Sequence, residues 1–262
     1  MIIHLSALDL ALAAALVLGL AWLSVWARLD VAPRLLIAAL RTTVQLLLVG
    51  LVLEALFASA RLPWIALMAL VMLAVAGREV MARQKRRFGG GWGYALGTLT
   101  MFVSAFTTTL FALLVIIGNQ PWYAPQYAIP LLGMLLGNTM NGVALALDRL
   151  TTGAWQQRGV IEAHLSLGHD WRTAIGDISR ESARVGMIPI INAMAAAGIV
   201  SLPGMMTGQI LSGTSPIEAV KYQILIMFLI AAGTGFATLL ASWIGARRLF
   251  DERWRLRLDR LR

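Results

Sequence analysis

The sequence predicts an all-α, polytopic membrane protein of about seven transmembrane helices, and three observations predict it. Of its 262 residues, 59% are hydrophobic and only 13% charged, with a mean hydropathy of +0.75. A soluble domain carries about 25% charged residues, so this chain lacks the polar surface to cover itself in water. In a bilayer the problem disappears, because helices satisfy their own backbone hydrogen bonds and present apolar side chains to lipid. The apolar residues also fall into long runs, and the basic residues cluster between alternate runs.

A helix needs roughly 20 apolar residues to cross a bilayer. Candidate runs lie at 10–26, 35–57, 62–76, 94–118, 127–147, 185–200 and 222–245. The first has no basic region before it and no convincing small-residue cleavage site after it, so it reads as a retained helix rather than a signal peptide. The second holds Arg41, Gln45 and Glu54. Between the fourth and fifth, the turn at 119–125 contains prolines and two aromatics suited to an interface. The sixth is short and interrupted by Pro189, and residues 148–184 before it form the one sizeable polar stretch.

Charge gives the orientation. Arg28 and Arg34, the stretch 78–87, the stretch 149–184 and the tail from Arg247 are Arg-rich, while the intervening connections hold only Arg61, no basic residue, and Lys221. Lys and Arg collect on the cytoplasmic side. Seven spans with the N-terminus outside and the C-terminus inside place every Arg-rich connection in the cytoplasm. The formal charge of +9 is therefore membrane topology, and nucleic acid is not an expected partner. The chain has no Cys, which excludes disulfides and thiolate metal sites.

The polar stretch carries the most informative spacing. It reads Glu162, Ala163 and His164, then Gly168, then nine residues, then Ile178. This resembles the EAA loop of bacterial ABC-transporter permeases: Glu-Ala-Ala, three residues, Gly, nine residues, Ile, any residue, Leu-Pro. Glu162, Ala163, Gly168 and Ile178 keep that spacing; His164 stands for the second Ala, and Arg180 and Glu181 for Leu-Pro. The resemblance implies a short helix, a turn at the glycine and a second helix that together couple to an ATPase subunit. His164 and His169 with Glu162 and Asp170 look like a metal cluster, but the histidines are five apart and do not share a helical face well.

Further stretches resemble the iron-export ABC permease family, which includes plant aluminium-tolerance permeases. They are the run Arg-Thr-Thr-Val-Gln at 41–45, the run Ile-Pro-Leu-Leu-Gly-Met-Leu-Leu-Gly-Asn at 129–138, the run Ser-Leu-Pro-Gly-Met-Met at 201–206 and the run Ala-Val-Lys-Tyr-Gln at 219–223. The resemblance covers about residues 38–230. Together with the charge pattern and the lack of a linker, it implies a single transmembrane permease domain over 1–262, with a cytoplasmic coupling segment at 148–184 and a basic cytoplasmic tail at 246–262, the first span and the tail lying outside the likeness. It further implies a homodimer in the bacterial inner membrane working with a separate ATP-binding subunit, in iron or metal efflux. This chain would then bind no cofactor of its own, ATP and Mg belonging to the partner. Consistently, no phosphate-cradling Gly-x-x-x-x-Gly-Lys-Ser/Thr loop, His-Glu-x-x-His or Gly-x-Ser-x-Gly appears.

Polar groups at membrane depth are expected to line a translocation path, because leaving them in lipid is costly. Arg41 and Gln45 share a face of the second span; Asn138 and Asn141 lie in the fifth and Asn192 in the sixth. Gly133 and Gly137 make a small-xxx-small face beside Asn138 that suits close helix packing. Pro203, Gly204, Met205 and Met206 follow a broken helix of the kind that places backbone around a substrate. A sugar-nucleotide exporter of the same architecture remains an alternative. A gradient-driven transporter fits less well, since Asp9, Glu54 and Asp148 all fall near span ends.

Overall fold

The structure is a computed structural model and describes residues 6–262. Among the described residues nine α-helices run in order: α1 Ala7–Trp26, α2 Ala32–Ser59, α3 Leu62–Ala82, α4 Trp92–Ile117, α5 Pro125–Gln156, α6 Arg158–Ser166, α7 Trp171–Ala196, α8 Gly204–Leu211 and α9 Pro216–Arg248. The chain divides into two units, one of residues 1–61 with 211–213, the other of 62–210 with 214–262.

The first unit is the α1–α2 hairpin. Ser6 and Asp9 cap each other's backbone at the start of α1, which satisfies two donors that a helix end leaves open. Pro33 opens α2, where its missing N–H costs nothing. Only Ala21 and Ser24 of α1 and Ala32 and Leu56 of α2 are buried. The other side chains, mostly Leu, Val and Ile, are outward and suit contact with lipid tails. Arg41 and Gln45 are exposed on α2, one turn apart.

The second unit is built around α5, α7 and α9, with α3 and α4 packed together and against α5. Where α5, α7 and α9 meet, small residues make the contact. A β-carbon placed on Gly142 of α5 would lie 2.6 Å from Thr234 Cγ2 and 2.9 Å from the Gly186 carbonyl oxygen; one on Gly186 of α7 would lie 2.6 Å from the Gly142 carbonyl oxygen. The two backbones therefore touch, and the Thr234 and Thr238 methyls of α9 close over them. Helices in lipid gain little from burying apolar surface, so such close packing and interhelical hydrogen bonds hold them. Ser104 of α4 supplies one, donating to the Gly233 carbonyl of α9 at 2.6 Å. It sits in the first of two π-helical segments of α4, Phe102–Phe106 and Ala112–Ile117.

The helices correct several sequence expectations. Six of them (α1, α2, α3, α4, α5 and α9) are long and apolar enough to cross a membrane. The expected sixth span is not among these. It is the second half of α7, and residues 185–196 reach only about 18 Å at 1.5 Å per residue; the first half carries Arg172, Asp177, Arg180, Glu181 and Arg184. Pro189 does not interrupt this helix, which runs unbroken to Ala196. The polar stretch 148–184 is mostly helical, shared among the end of α5, α6 and the start of α7. Gly133 meets only Met72 of α3 at 3.2 Å and Gly137 meets nothing within 4 Å, so the close backbone contact of α5 lies one face round, at Gly142. The basic tail also folds back on the unit: Phe250 is buried and pairs with Leu256.

These distances make a paired prediction. Gly142→Ala forces α5 and α7 apart and costs about 1–3 kcal/mol, as overpacking does. Gly137→Ala meets open space and gains about 0.5–1 kcal/mol from the lost flexibility of glycine. Melting temperatures in one detergent should fall for the first and hold or rise for the second; equal shifts would contradict the packing.

Candidate functional site

The helix–glycine–helix element expected at 162–178 is present. One face of α6 is anchored by Ile161, which is fully buried, while Glu162 and Ala163 on the other are exposed. Gly168 then adopts φ +86°, a left-handed conformation that side chains disfavour. Its N–H bonds the Leu165 carbonyl at 3.0 Å, and the His169 N–H bonds the His164 carbonyl at 3.1 Å. This is the paired closure of a Schellman turn, and it fixes the direction in which the chain leaves α6. Asp170 then caps α7, accepting from the Thr173 N–H at 2.9 Å. Those hydrogen bonds from Thr173 hold its carboxyl below the usual aspartate range.

Ile178 has a different environment from Glu162. It is buried, and its Cγ2 lies 2.9 Å from where a Gly153 β-carbon would stand. It therefore locks α7 to α5 rather than facing outward. The glycine turn also brings the His164 and His169 rings to 5.3 Å, edge to face. Counting along one helix missed this, because Gly168 folds the second histidine back. Among the described residues no group of three His, Asp or Glu side chains is placed to hold a metal.

Three Arg-rich segments, far apart in sequence, meet at this end of the unit. The Lys85 N–H donates to Asp148 at 2.7 Å, and the Thr151 hydroxyl donates to the Arg86 carbonyl at 2.7 Å. Arg86 lies 4.0 Å over the Trp155 ring. The Arg87 N–H and Arg262 carbonyl pair at 3.0 Å, and the reverse bond is 2.8 Å. Trp171, the first residue of α7, stacks on Phe250 of the tail at 6.1 Å, with Arg247 over its indole. The α3–α4 loop, the α5–α7 connection and the tail thus form one platform.

The expected path residues divide. Asn138 and Asn141 share a face of α5, but Asn138 donates to its own helix at the Met134 carbonyl, 2.9 Å away. Asn141 accepts from the Arg83 guanidinium, which also lies 4.0 Å from Glu79. Arg83 was legible only as one of a basic run; nothing in its spacing pointed to Asn141. Asn192 is exposed near the end of α7 and bonds to neither α5 asparagine. Pro203 precedes α8, Gly204 opens it, and Met205 and Met206 in its first turn are half-buried. Arg41 and Gln45 belong to the α1–α2 unit. Sequence reasoning passed over the hydroxyls of α4 and α9: Thr108, Thr234 and Thr238 are buried with Ser104, and the Thr234 hydroxyl has no hydrogen-bond partner. The run of three threonines at 107–109 inside an apolar helix was the available signal.

Fold and site together define a multi-pass, α-helical membrane protein with a folded platform at one end. The chain belongs to the family described as "Uncharacterised protein family (UPF0014)", whose model matches residues 7–250. It is 39% identical to a UPF0014 membrane protein of the cyanobacterium Synechocystis, covering 88% of each chain. It is 33% identical to the membrane protein STAR2 of rice, over 85% of this chain and 76% of that one. It is 30% identical to the probable iron export permease protein FetB of Escherichia coli, over 85% of this chain and 83% of the relative. No solved structure gives a significant match.

The Asp170 cap makes a signed prediction. A carboxyl whose folded pKa is lowered stabilises the fold above its unfolded pKa and loses that contribution as pH falls through the folded value. The protection factor of the Thr173 amide, its exchange rate relative to the intrinsic rate at the same pH, should therefore fall on acidification in the wild type. In Asp170→Asn, which caps equally well, it should not. Asp170→Ala should exchange fast at every pH, and neutral-pH protection equal to wild type would contradict the cap's role.

Proposed function

We propose that this protein is the membrane-spanning permease subunit of an ATP-driven ABC exporter, acting in iron or other metal efflux. The observation that carries the reading is the α6–Gly168–α7 element, rigidly closed at the glycine, with Glu162 and Ala163 outward and Ile161 and Ile178 inward. A relative named as a probable iron export permease supports the transport class and motivates the substrate. On this reading the whole chain is one permease domain in the bacterial inner membrane. It pairs with a second copy and with two ATP-binding subunits, which hold the ATP and Mg.

The mechanism follows from the packing. A partner subunit closing on ATP presses on the exposed face of α6, and Glu162 meets a basic cleft there. Ile161 and the Schellman turn pass the displacement to α7. Ile178 against Gly153 ties α7 to α5, and the Gly142–Gly186 contact makes α5, α7 and α9 respond together. Movement of α5 carries Asn138 and Asn141, the path residues nearest the platform, and strains the Arg83–Asn141 bond. Pro203, Gly204, Met205 and Met206 act as a gate at the other end, with Asn192 on the approach. The crossings number seven. Although polar in its first half, α7 spans about 39 Å and returns the chain from the platform so that α9 can end there. Arg-rich connections then lie in the cytoplasm and the N-terminus outside.

ATPase activity of the reconstituted permease–ATPase complex tests this, with ferrous iron titrated in. Iron should stimulate the wild type, and Glu162→Ala should reduce the stimulated rate about tenfold, the worth of one charge-assisted hydrogen bond. Activity that depends on Glu162 but ignores iron would keep the coupling role and reject the metal. Activity indifferent to Glu162 would reject the coupling element.

A further inference from the structure

The C-terminal fold-back builds a cavity that the transport reading does not use. After α9 ends at Arg248, the chain turns at Phe250 and returns. The Arg257 N–H bonds the Leu249 carbonyl at 2.7 Å, and the Arg260 guanidinium donates to the Arg248 and Phe250 carbonyls at 2.7 and 3.2 Å. This curl lines an open cavity of about 680 Å³ with six arginines, together with Trp92 and Ile244. A second cavity of about 220 Å³ adjoins it, sharing Trp92, Arg248 and Arg260.

Charge in the cavity is unbalanced. Arg255 pairs with Asp251 at 2.7 Å, and Arg257 holds Asp259 through two bonds of 2.8 Å; that pairing raises the arginine pKa and lowers the aspartate's. Arg247, Arg248, Arg253 and Arg260 form no ion pair among the described residues, and Glu252 is the one remaining acid in the lining. Arg247 and Arg260 are steered by carbonyls, and Arg248 lies 4.4 Å over the Trp92 ring. Guanidinium groups converging on a cavity with their forks unpaired by carboxylate suit phosphate oxygens.

The position selects the kind of phosphate. Trp92 opens α4 and Arg248 closes α9, so the cavity mouth lies where two membrane-crossing helices meet the polar boundary. Tryptophan is enriched at that level, and Trp92 is 48% exposed. Basic pockets between helix ends there bind anionic headgroups. We infer that the tail cavity is a binding site for the phosphodiester headgroup of an anionic phospholipid, with Arg248 and Arg253 as phosphate ligands and Trp92 and Ile244 facing the glycerol. The inference requires only that the protein is membrane-embedded; it is independent of iron and of the ATPase.

Native mass spectrometry of the delipidated full-length protein tests it, with phosphatidylglycerol, phosphatidylcholine and inorganic phosphate as probes. Phosphatidylglycerol should bind at least roughly tenfold more tightly than phosphatidylcholine, and Arg248→Gln/Arg253→Gln should abolish that preference. The variant's melting temperature in lipid-free detergent should match the wild type. If it does not fold, Arg253→Gln alone still tests the site, because that side chain is exposed and makes no bond, and it should weaken phosphatidylglycerol severalfold. Equal binding of the two lipids, or a preference that survives these variants, would overturn the site. Displacement of the lipid by millimolar inorganic phosphate would assign the cavity to a soluble anion and overturn the lipid assignment.

Discussion

The backbone contact between Gly142 of α5 and Gly186 of α7 is the constraint on which the rest of the second unit depends. With no side chain at either position, the two helices approach until each carbonyl oxygen lies under 3 Å from where the other's β-carbon would be. The Thr234 and Thr238 methyls of α9 fit over that contact because nothing larger intervenes. In a bilayer, where burial of apolar surface offers little between helices, such proximity converts many weak dispersion contacts into a stable trio. Everything at the platform end inherits its position from it. Gly153, three turns along α5, receives Ile178 of α7, and Gly245 of α9 receives the Leu150 and Leu147 side chains of α5.

Beyond the trio, the chain solves a different problem: finishing helix ends and placing charge where water begins. Asp148 and Thr151 receive the basic α3–α4 loop by its backbone, which leaves Arg87 outward while Arg86 lies over Trp155. Phe88 and Phe250, both buried, pin the loop and the tail to the bundle. The arginines therefore act twice, first by setting which segments stay on one side of the membrane, then as a shaped surface once those segments meet. The tail cavity and the α6 face are two products of the same gathering, one charged and concave, the other mixed and protruding.

How much of this was legible in the sequence depended on the range of the interactions. The apolar runs marked six helices, since burial in lipid is decided locally. The turn at Gly168 was legible because a left-handed residue leaves a glycine at a fixed distance from Glu162. The expected sixth span, 185–200, took in only the apolar second half of α7, because hydropathy does not see the polar first half of the same continuous helix. Pro189 read as a break, yet packing against α5 and α9 carries the helix through it. Gly133 and Gly137 matched the small-xxx-small spacing, but the contact that matters pairs Gly142 with a glycine 44 residues on, which no local pattern reveals. The same holds for Arg83 with Asn141 and for the folded tail, whose charge was legible and whose shape was not. His164 and His169 were separated by helical geometry on paper and brought together by the turn.

Central to the account is that the exposed face of α6 meets the ATP-binding partner. The chain has no cysteine, so single cysteines report one place each. Leu167, 76% exposed beside the Gly168 turn, and Ile199, 89% exposed beyond the far end of α7, are the informative pair. Leu167→Cys and Ile199→Cys would each be labelled with a photoactivated cross-linker in membranes containing the ATPase subunit. The account predicts a cross-link to the ATPase from position 167 and none from position 199. Cross-linking from 199, or from neither while the complex still assembles, would contradict it.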